Sequence, residues 1–146
     1  MKTTNECIQV CQSLLRGERS AVETYEQVLK KYAHESRSSE IRKICDEHVK
    51  AVNLLEENIR QMGDQPGTDS GAWGSFTMLV QGTANLFGKD SALESLQTGE
   101  EKGKSDYEDA LEDDDVLPEC KTLIRSELLP RVCRHISELE RLQDSN

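Results

Sequence analysis

Apolar side chains recur along this chain at alternating steps of three and four, the spacing of a helical face buried against other helices. Ile8, Cys11, Leu15, Val22, Tyr25, Leu29 and Tyr32 trace one such seam, with Glu18 in its middle. Ile41, Cys45, Val52, Leu55, Ile59 and Met62 trace a second around His48. The third runs through Leu93, Leu96, Gly103, Tyr107 and Ala110 around Glu100 and is poor in bulk, so other groups must fill its volume. The fourth, Leu117, Ile124, Leu128, Val132, Leu139 and Leu142, carries His135. The pattern predicts helices over about 3–34, 38–62, 90–113 and 116–143, in one all-α domain spanning 1–146.

Helix punctuation agrees with these bounds. Thr3 and Glu6 stand at capping-box spacing, and Ser91 and Glu94 repeat it before the third helix. Ser36, Ser38 and Ser39 offer N-caps for the second helix, and Gly63 ends it ahead of a loop containing Pro66 and Gly67. Pro118 suits a first helical turn, whereas Pro130 falls inside the fourth helix and predicts a kink. Residues 71–88 differ in kind: they hold the only Trp and both Phe and no charge. Trp73, Phe76, Val80 and Phe87 fit one helical face, which predicts a crossover helix over 71–88 packed on the other helices or joining two copies as a homodimer.

The chain also repeats itself. Gly17-Glu18 is followed by Tyr25, Glu26 and Leu29, and Gly99-Glu100 by Tyr107, Glu108 and Leu111, each pair offset by 82 residues. His48 is followed by Val49, Val52 and Leu55, and His135 by Ile136, Leu139 and Leu142, at identical spacings. This describes a duplicated hairpin, a Glu-bearing helix followed by a His-bearing helix, so that each of four helices turns one Glu or His inward.

Charge and cysteine usage narrow the function classes. The net charge of −10 is uneven: residues 1–65 carry 10 basic and 11 acidic side chains, and 66–146 carry 8 and 17. An acidic surface disfavours nucleic acid and anionic membrane as partners. The run Glu112 to Asp115 reads as a solvated helix end with a cap for the next helix. No leader pattern or long apolar span occurs, which points to a cytoplasmic protein with reduced thiols. Cys7 and Cys11 read as small apolar filler, and His34, at a helix end, as solvent-facing. No Ser or Cys stands in a recognisable arrangement with His and a carboxylate for nucleophilic catalysis, and whether the chain is an enzyme stays open.

A carboxylate in an apolar seam is costly unless paired, protonated or bound to a metal. Glu18, His48, Glu100 and His135 are therefore candidate metal ligands, with Tyr25, Tyr107 and Cys45 behind them. The competing reading is a metal-free polar belt, in which Glu and His satisfy one another and the two tyrosines close the network.

The phrase Gly17-Glu18-x-x-Ala21-x-x-x-Tyr25 resembles the first helix of rubrerythrin-type ferritin-like proteins. The chain over about its full length resembles an uncharacterised bacterial ferritin-like family known only as a domain of unknown function and related to rubrerythrins. That resemblance implies a ferritin-like four-helix bundle with a helical crossover, and a two-metal site built from Glu on the first and third helices and Glu-x-x-His on the second and fourth. Cys45 and Val132 stand where the two Glu-x-x-His carboxylates belong, so four ligands are present where six are usual. Iron is the implied metal, with zinc or manganese as alternatives and Cys45 as a substitute thiolate ligand. The expectations are a metal-binding ferritin-like protein; a non-enzymatic structural or stress-associated bundle with a metal-free core that self-associates; or a binder using the space beside Gly103.

Overall fold

The computed structural model describes residues 4–69 and 92–144 of the chain, and every regular element among them is helical. Helix α1 spans Thr4–Lys31, α2 Ser38–Gln61 and α3 Ala92–Glu112. The fourth rod has three parts: α4, Pro118–Leu123; a π-helical turn, Ile124–Leu128; and α5, Leu129–Asp144.

The seam residues are the ones buried. Of the apolar positions on the four predicted seams, only Val22, Tyr32, Met62, Gly103 and Leu117 are partly exposed. They assemble into two apolar clusters, each fed by all four rods. One joins Leu15, Leu55, Ile59, Ala110, Ile124 and Leu128; the other joins Val28, Leu29, Ile41, Leu93, Leu139 and Leu142. Helices α2 and α3 both pass from the second cluster to the first. Helix α1 and the fourth rod run the opposite way. Between the clusters lies the layer that contains Glu18, His48, Glu100 and His135.

Local chemistry explains the element ends. The seam of α1 thins at partly exposed Tyr32, and the helix stops at Lys31 and not near residue 34. Tight turns follow, with Glu35 N–H donating to the Tyr32 carbonyl and Ser38 N–H to that of Glu35, both at 3.1 Å. His34 is exposed. The N-cap of α2 is Arg37, without a side-chain cap, in place of the expected serines. Gly63 ends that helix at φ +91°, where a β-carbon is strained. Asp64 N–H reaches back to the Ile59 carbonyl at 3.2 Å and Gly63 N–H to that of Arg60 at 2.9 Å, the paired bonds of a Schellman ending.

The following loop is tied to α1. Gln12 donates to the Gln65 carbonyl and accepts from Gly67 N–H, both at 2.8 Å, and Arg19 donates to the Gly67 carbonyl at 2.9 Å while pairing with Glu56. Pro130 is accommodated by the π-helical turn that precedes it, which adjusts the helix where proline lacks its N–H and its ring crowds the carbonyl four residues back. In the acidic run, Asp113 accepts from Asp115 N–H at 2.8 Å and so stabilises the turn between rods; the N-cap of α4 is Leu117.

The predicted caps Thr3 and Ser91 and the 71–88 crossover, with Trp73, Phe76 and Phe87, lie outside the described residues, as does the dimer contact expected of them. Among the described residues no helix is long and apolar enough to cross a membrane.

Candidate metal centre

The four rods bring Glu18, His48, Glu100 and His135 into one buried cluster, with relative exposures of 6%, 2%, 1% and 3%. His48 stands at its centre. Its Nδ1 lies 2.6 Å from Glu18 Oε1 and its Nε2 2.6 Å from Glu100 Oε2. His135 Nδ1 lies 3.2 Å from Glu100 Oε1, and the two imidazole rings are 4.7 Å apart.

The tyrosines bond to the carboxylates with a crossover that the repeat alone does not reveal. Tyr25, two turns after Glu18, donates to Glu100 at 2.6 Å; Tyr107, two turns after Glu100, donates to Glu18 at 3.1 Å. Each repeat thus supplies the hydroxyl that holds the other repeat's carboxylate. Cys45 does not share in this bonding. Its thiol points at the Val22 carbonyl, 3.9 Å away, and burial raises its pKa to about 11. Cys45 thus stands outside the group of donor atoms that come close to one another, which is made of His48, Glu100 and His135.

One member of the cluster escaped sequence reasoning. Glu47, half-buried, lies 2.7 Å from His135 Nε2 and is also approached by Arg134 at 3.5 Å. It precedes His48 on α2, one helical step off the seam. The seam pattern assigns it to a flank, and only the placement of α5 shows what it meets.

The electrostatics follow from opposite charges packed together in a buried layer. Both ring nitrogens of His48 face carboxylate oxygens, which only accept, so the ring is an imidazolium. Burial opposes that charge, but Glu100 and Glu18 outweigh it and raise the His48 pKa well above its ordinary value. Burial likewise disfavours the Glu100 carboxylate, yet His48 and His135 hold its pKa at about 2. Glu47 is lowered against the same opposing effect of burial, by His135 and Arg134. The tyrosine hydroxyls are pushed up by burial and by the carboxylates they serve, and remain neutral donors.

Donor atoms of His48, Glu100 and His135 all lie within 4.8 Å of one another, so this buried group could hold a metal ion. Imidazole nitrogen with carboxylate oxygen suits first-row ions such as iron, manganese and zinc. Two donors bound to one ion at right angles, each at about 2.1 Å, stand about 3 Å apart. The contacts of Glu100 with His48 Nε2 at 2.6 Å and with His135 Nδ1 at 3.2 Å are near that size, whereas Glu18 faces the other nitrogen of His48 and lies outside the group. A cleft of about 180 Å³ reaches the cluster, lined by Gly17, Glu18, His48, Gly99, Glu100 and Gly103 among others. Gly17 and Gly99, the glycines before each repeated Glu, both line it. A β-carbon at Gly17 or Gly103 would meet nothing within 4 Å, so the volume beside the thin third seam is open and is not filled by the other groups expected there.

No curated protein and no solved structure matches this chain. A family model matches residues 6–113, a stretch that includes Glu18, Glu47, His48 and Glu100 and stops short of His135. The chain belongs to the family described as Domain of unknown function (DUF2383).

Proposed function

We propose that this chain is a ferritin-like metal-binding protein that holds one first-row transition-metal ion, iron foremost, between its four helical rods. The observation that carries the reading is the convergence of two imidazoles and two carboxylates, one from each rod, in a buried layer at the end of an open cleft. His48 Nε2, His135 Nδ1 and Glu100 would supply the ligands, with Glu18 behind His48 Nδ1 and Glu47 behind His135 Nε2 as the carboxylates that orient the two rings. A bound ion would supply Lewis acidity and, if iron, redox capacity; the tyrosines would keep the carboxylates oriented. The parallel course of α2 and α3, opposite to α1 and the fourth rod, supports the ferritin-like plan.

A second reading is favoured by a specific observation: both nitrogens of each imidazole already face a carboxylate, and both tyrosine hydroxyls are bonded. That closed network serves equally as a metal-free belt fixing helix register. Anaerobic calorimetric titration of chelator-stripped protein with Fe²⁺, Mn²⁺ and Zn²⁺ separates the two. The metal-binding reading expects one equivalent of at least one ion to bind and the His48→Leu/His135→Leu variant to lose that event. Absence of any event dependent on the two histidines establishes the metal-free belt instead.

A further inference from the structure

The apolar cluster nearer the start of α1 contains a second set of donor atoms, made of sulfur. Cys7 and Cys11 stand one turn apart on α1, and Cys120 comes to them from α4; all three are at most 1% exposed. Their sulfurs lie within 4.8 Å of one another, with Cys11 and Cys120 at 3.0 Å. A tetrahedral ion with metal–sulfur bonds of about 2.3 Å holds its sulfurs about 3.8 Å apart. Cys11 and Cys120 need part by only about 0.8 Å to reach it, within a set whose sulfurs all lie inside 4.8 Å. Simple apolar filler would not explain the polar groups aimed at them. Leu117 N–H points at Cys7 Sγ at 3.3 Å and the Asn58 amide at Cys11 Sγ at 3.4 Å, donors of the kind that stabilise thiolates.

We propose that Cys7, Cys11 and Cys120 form a separate three-thiolate site for a thiophilic d¹⁰ cation, with Zn²⁺ as its occupant. Three thiols give up three protons to solvent on binding, so Zn²⁺ leaves one net negative charge in the buried site, whereas Cu⁺ leaves two. Burial favours the smaller excess. A cleft of about 330 Å³ lined by Asn58, Met62, Leu117 and Cys120 adjoins the sulfurs and provides both a route in and room for a fourth ligand from solvent. Cys45, bonded toward Val22, and Cys133, exposed, belong to neither site. The proposal stands independently of the imidazole–carboxylate centre.

The test uses the full chain, reduced and stripped of metal, titrated with Cd²⁺ and Co²⁺ while near-ultraviolet thiolate-to-metal charge transfer is recorded. Only sulfur ligands give that band, so the imidazole–carboxylate cluster is silent in it. The expected result is saturation at one equivalent per chain, displacement by Zn²⁺, and retention of the band in Cys45→Ser, Cys133→Ser and His48→Leu/His135→Leu. The Cys120→Ser variant should lose it while keeping its helical circular dichroism. Should that variant fail to fold, alkylation of the parent decides: Zn²⁺ must slow labelling of Cys7, Cys11 and Cys120 together, at least tenfold, and leave Cys133 unaffected. No band, a band unchanged in folded Cys120→Ser, or absent protection in the parent overturns the site. Saturable binding of Cu⁺ without binding of Zn²⁺ or Cd²⁺ overturns the divalent occupant.

Discussion

Replacing Glu100 by Gln removes one charge from the centre of the buried layer while keeping the side chain's shape. The carboxylate is 1% exposed and is met by Tyr25, His48 and His135. Its pKa of about 2 lies far below the ordinary 4.5. At about 1.4 kcal/mol per pH unit, that difference corresponds to about 3 kcal/mol of folding stability, at the lower edge of the cost of breaking a buried ion pair. The raised pKa of His48 expresses the same attraction from the other partner, so the two are counted once. The depressed carboxylate pKa fixes the sign: the contribution is complete above about pH 4.5, the unfolded value, and is lost as pH falls through 2. At pH 3 about 1 kcal/mol of it remains. Urea denaturation followed by circular dichroism, with chelator present, should therefore show Glu100→Gln destabilised by about 3 kcal/mol at pH 7 and by about 1 kcal/mol at pH 3. An equal loss at both pH values, or a loss at pH 7 below about 1 kcal/mol, refutes the charge-based account of the layer.

Other consequences are simpler to read. His48 has its folded pKa raised in the metal-free protein, so its contribution is full below the unfolded value of about 6.5 and fades as pH climbs through the folded one; with chelator present its ring proton signals in NMR should still report imidazolium at pH 7.5, and an ordinary titration midpoint contradicts this. Tyr25→Phe should cost about 2 kcal/mol in urea denaturation and exceed Tyr107→Phe, because its bond to carboxylate is the shorter; equal or reversed losses count against that ranking. Gly63→Ala should lower stability by about 1 kcal/mol through its positive φ, whereas Gly103→Ala should raise it by about as much, since its new methyl enters open space on a helix; thermal melts showing the same sign for both would refute this.

The fold was legible because helical period and burial coincide here almost residue by residue. Leu93, Leu96, Tyr107 and Ala110 are buried as their spacing requires, although Gly103 left a gap among them. The repeat identified the inward Glu and His of each rod. It could not show that Tyr25 serves Glu100 and Tyr107 serves Glu18, because that depends on how far one helix slides along another. Glu47 was hidden for a related reason. A flank position becomes a partner only when a neighbouring helix covers that flank, and the period within α2 carries no information about α5. The thiol cluster was half visible in the four-residue step from Cys7 to Cys11. Cys120 completes it across 109 residues, a pairing that sequence spacing within either helix does not encode. Pro130 predicted a kink in the fourth rod; the structure shows a π-helical turn just before it, a form that the proline alone does not specify.

The central claim, that the buried layer exists to hold a metal, is tested most directly by the chelator dependence of melting in two proteins. One is the parent. The other replaces Glu18, His48 and His135 by Leu and Glu100 by Met, together with Tyr25→Phe and Tyr107→Phe so that no hydroxyl is stranded. A metal bound only to the folded layer adds its binding free energy to folding, and an apolar layer has nothing to lose on stripping. Any contribution from the thiol cluster is common to both proteins and cancels in the comparison. The account predicts that chelator lowers the parent's melting temperature more than the variant's, and that adding back the metal restores the difference. A parent whose melting is no more sensitive than the variant's to chelator or to added Fe²⁺, Mn²⁺ and Zn²⁺, and whose stability is equalled or exceeded by the apolar variant, contradicts it.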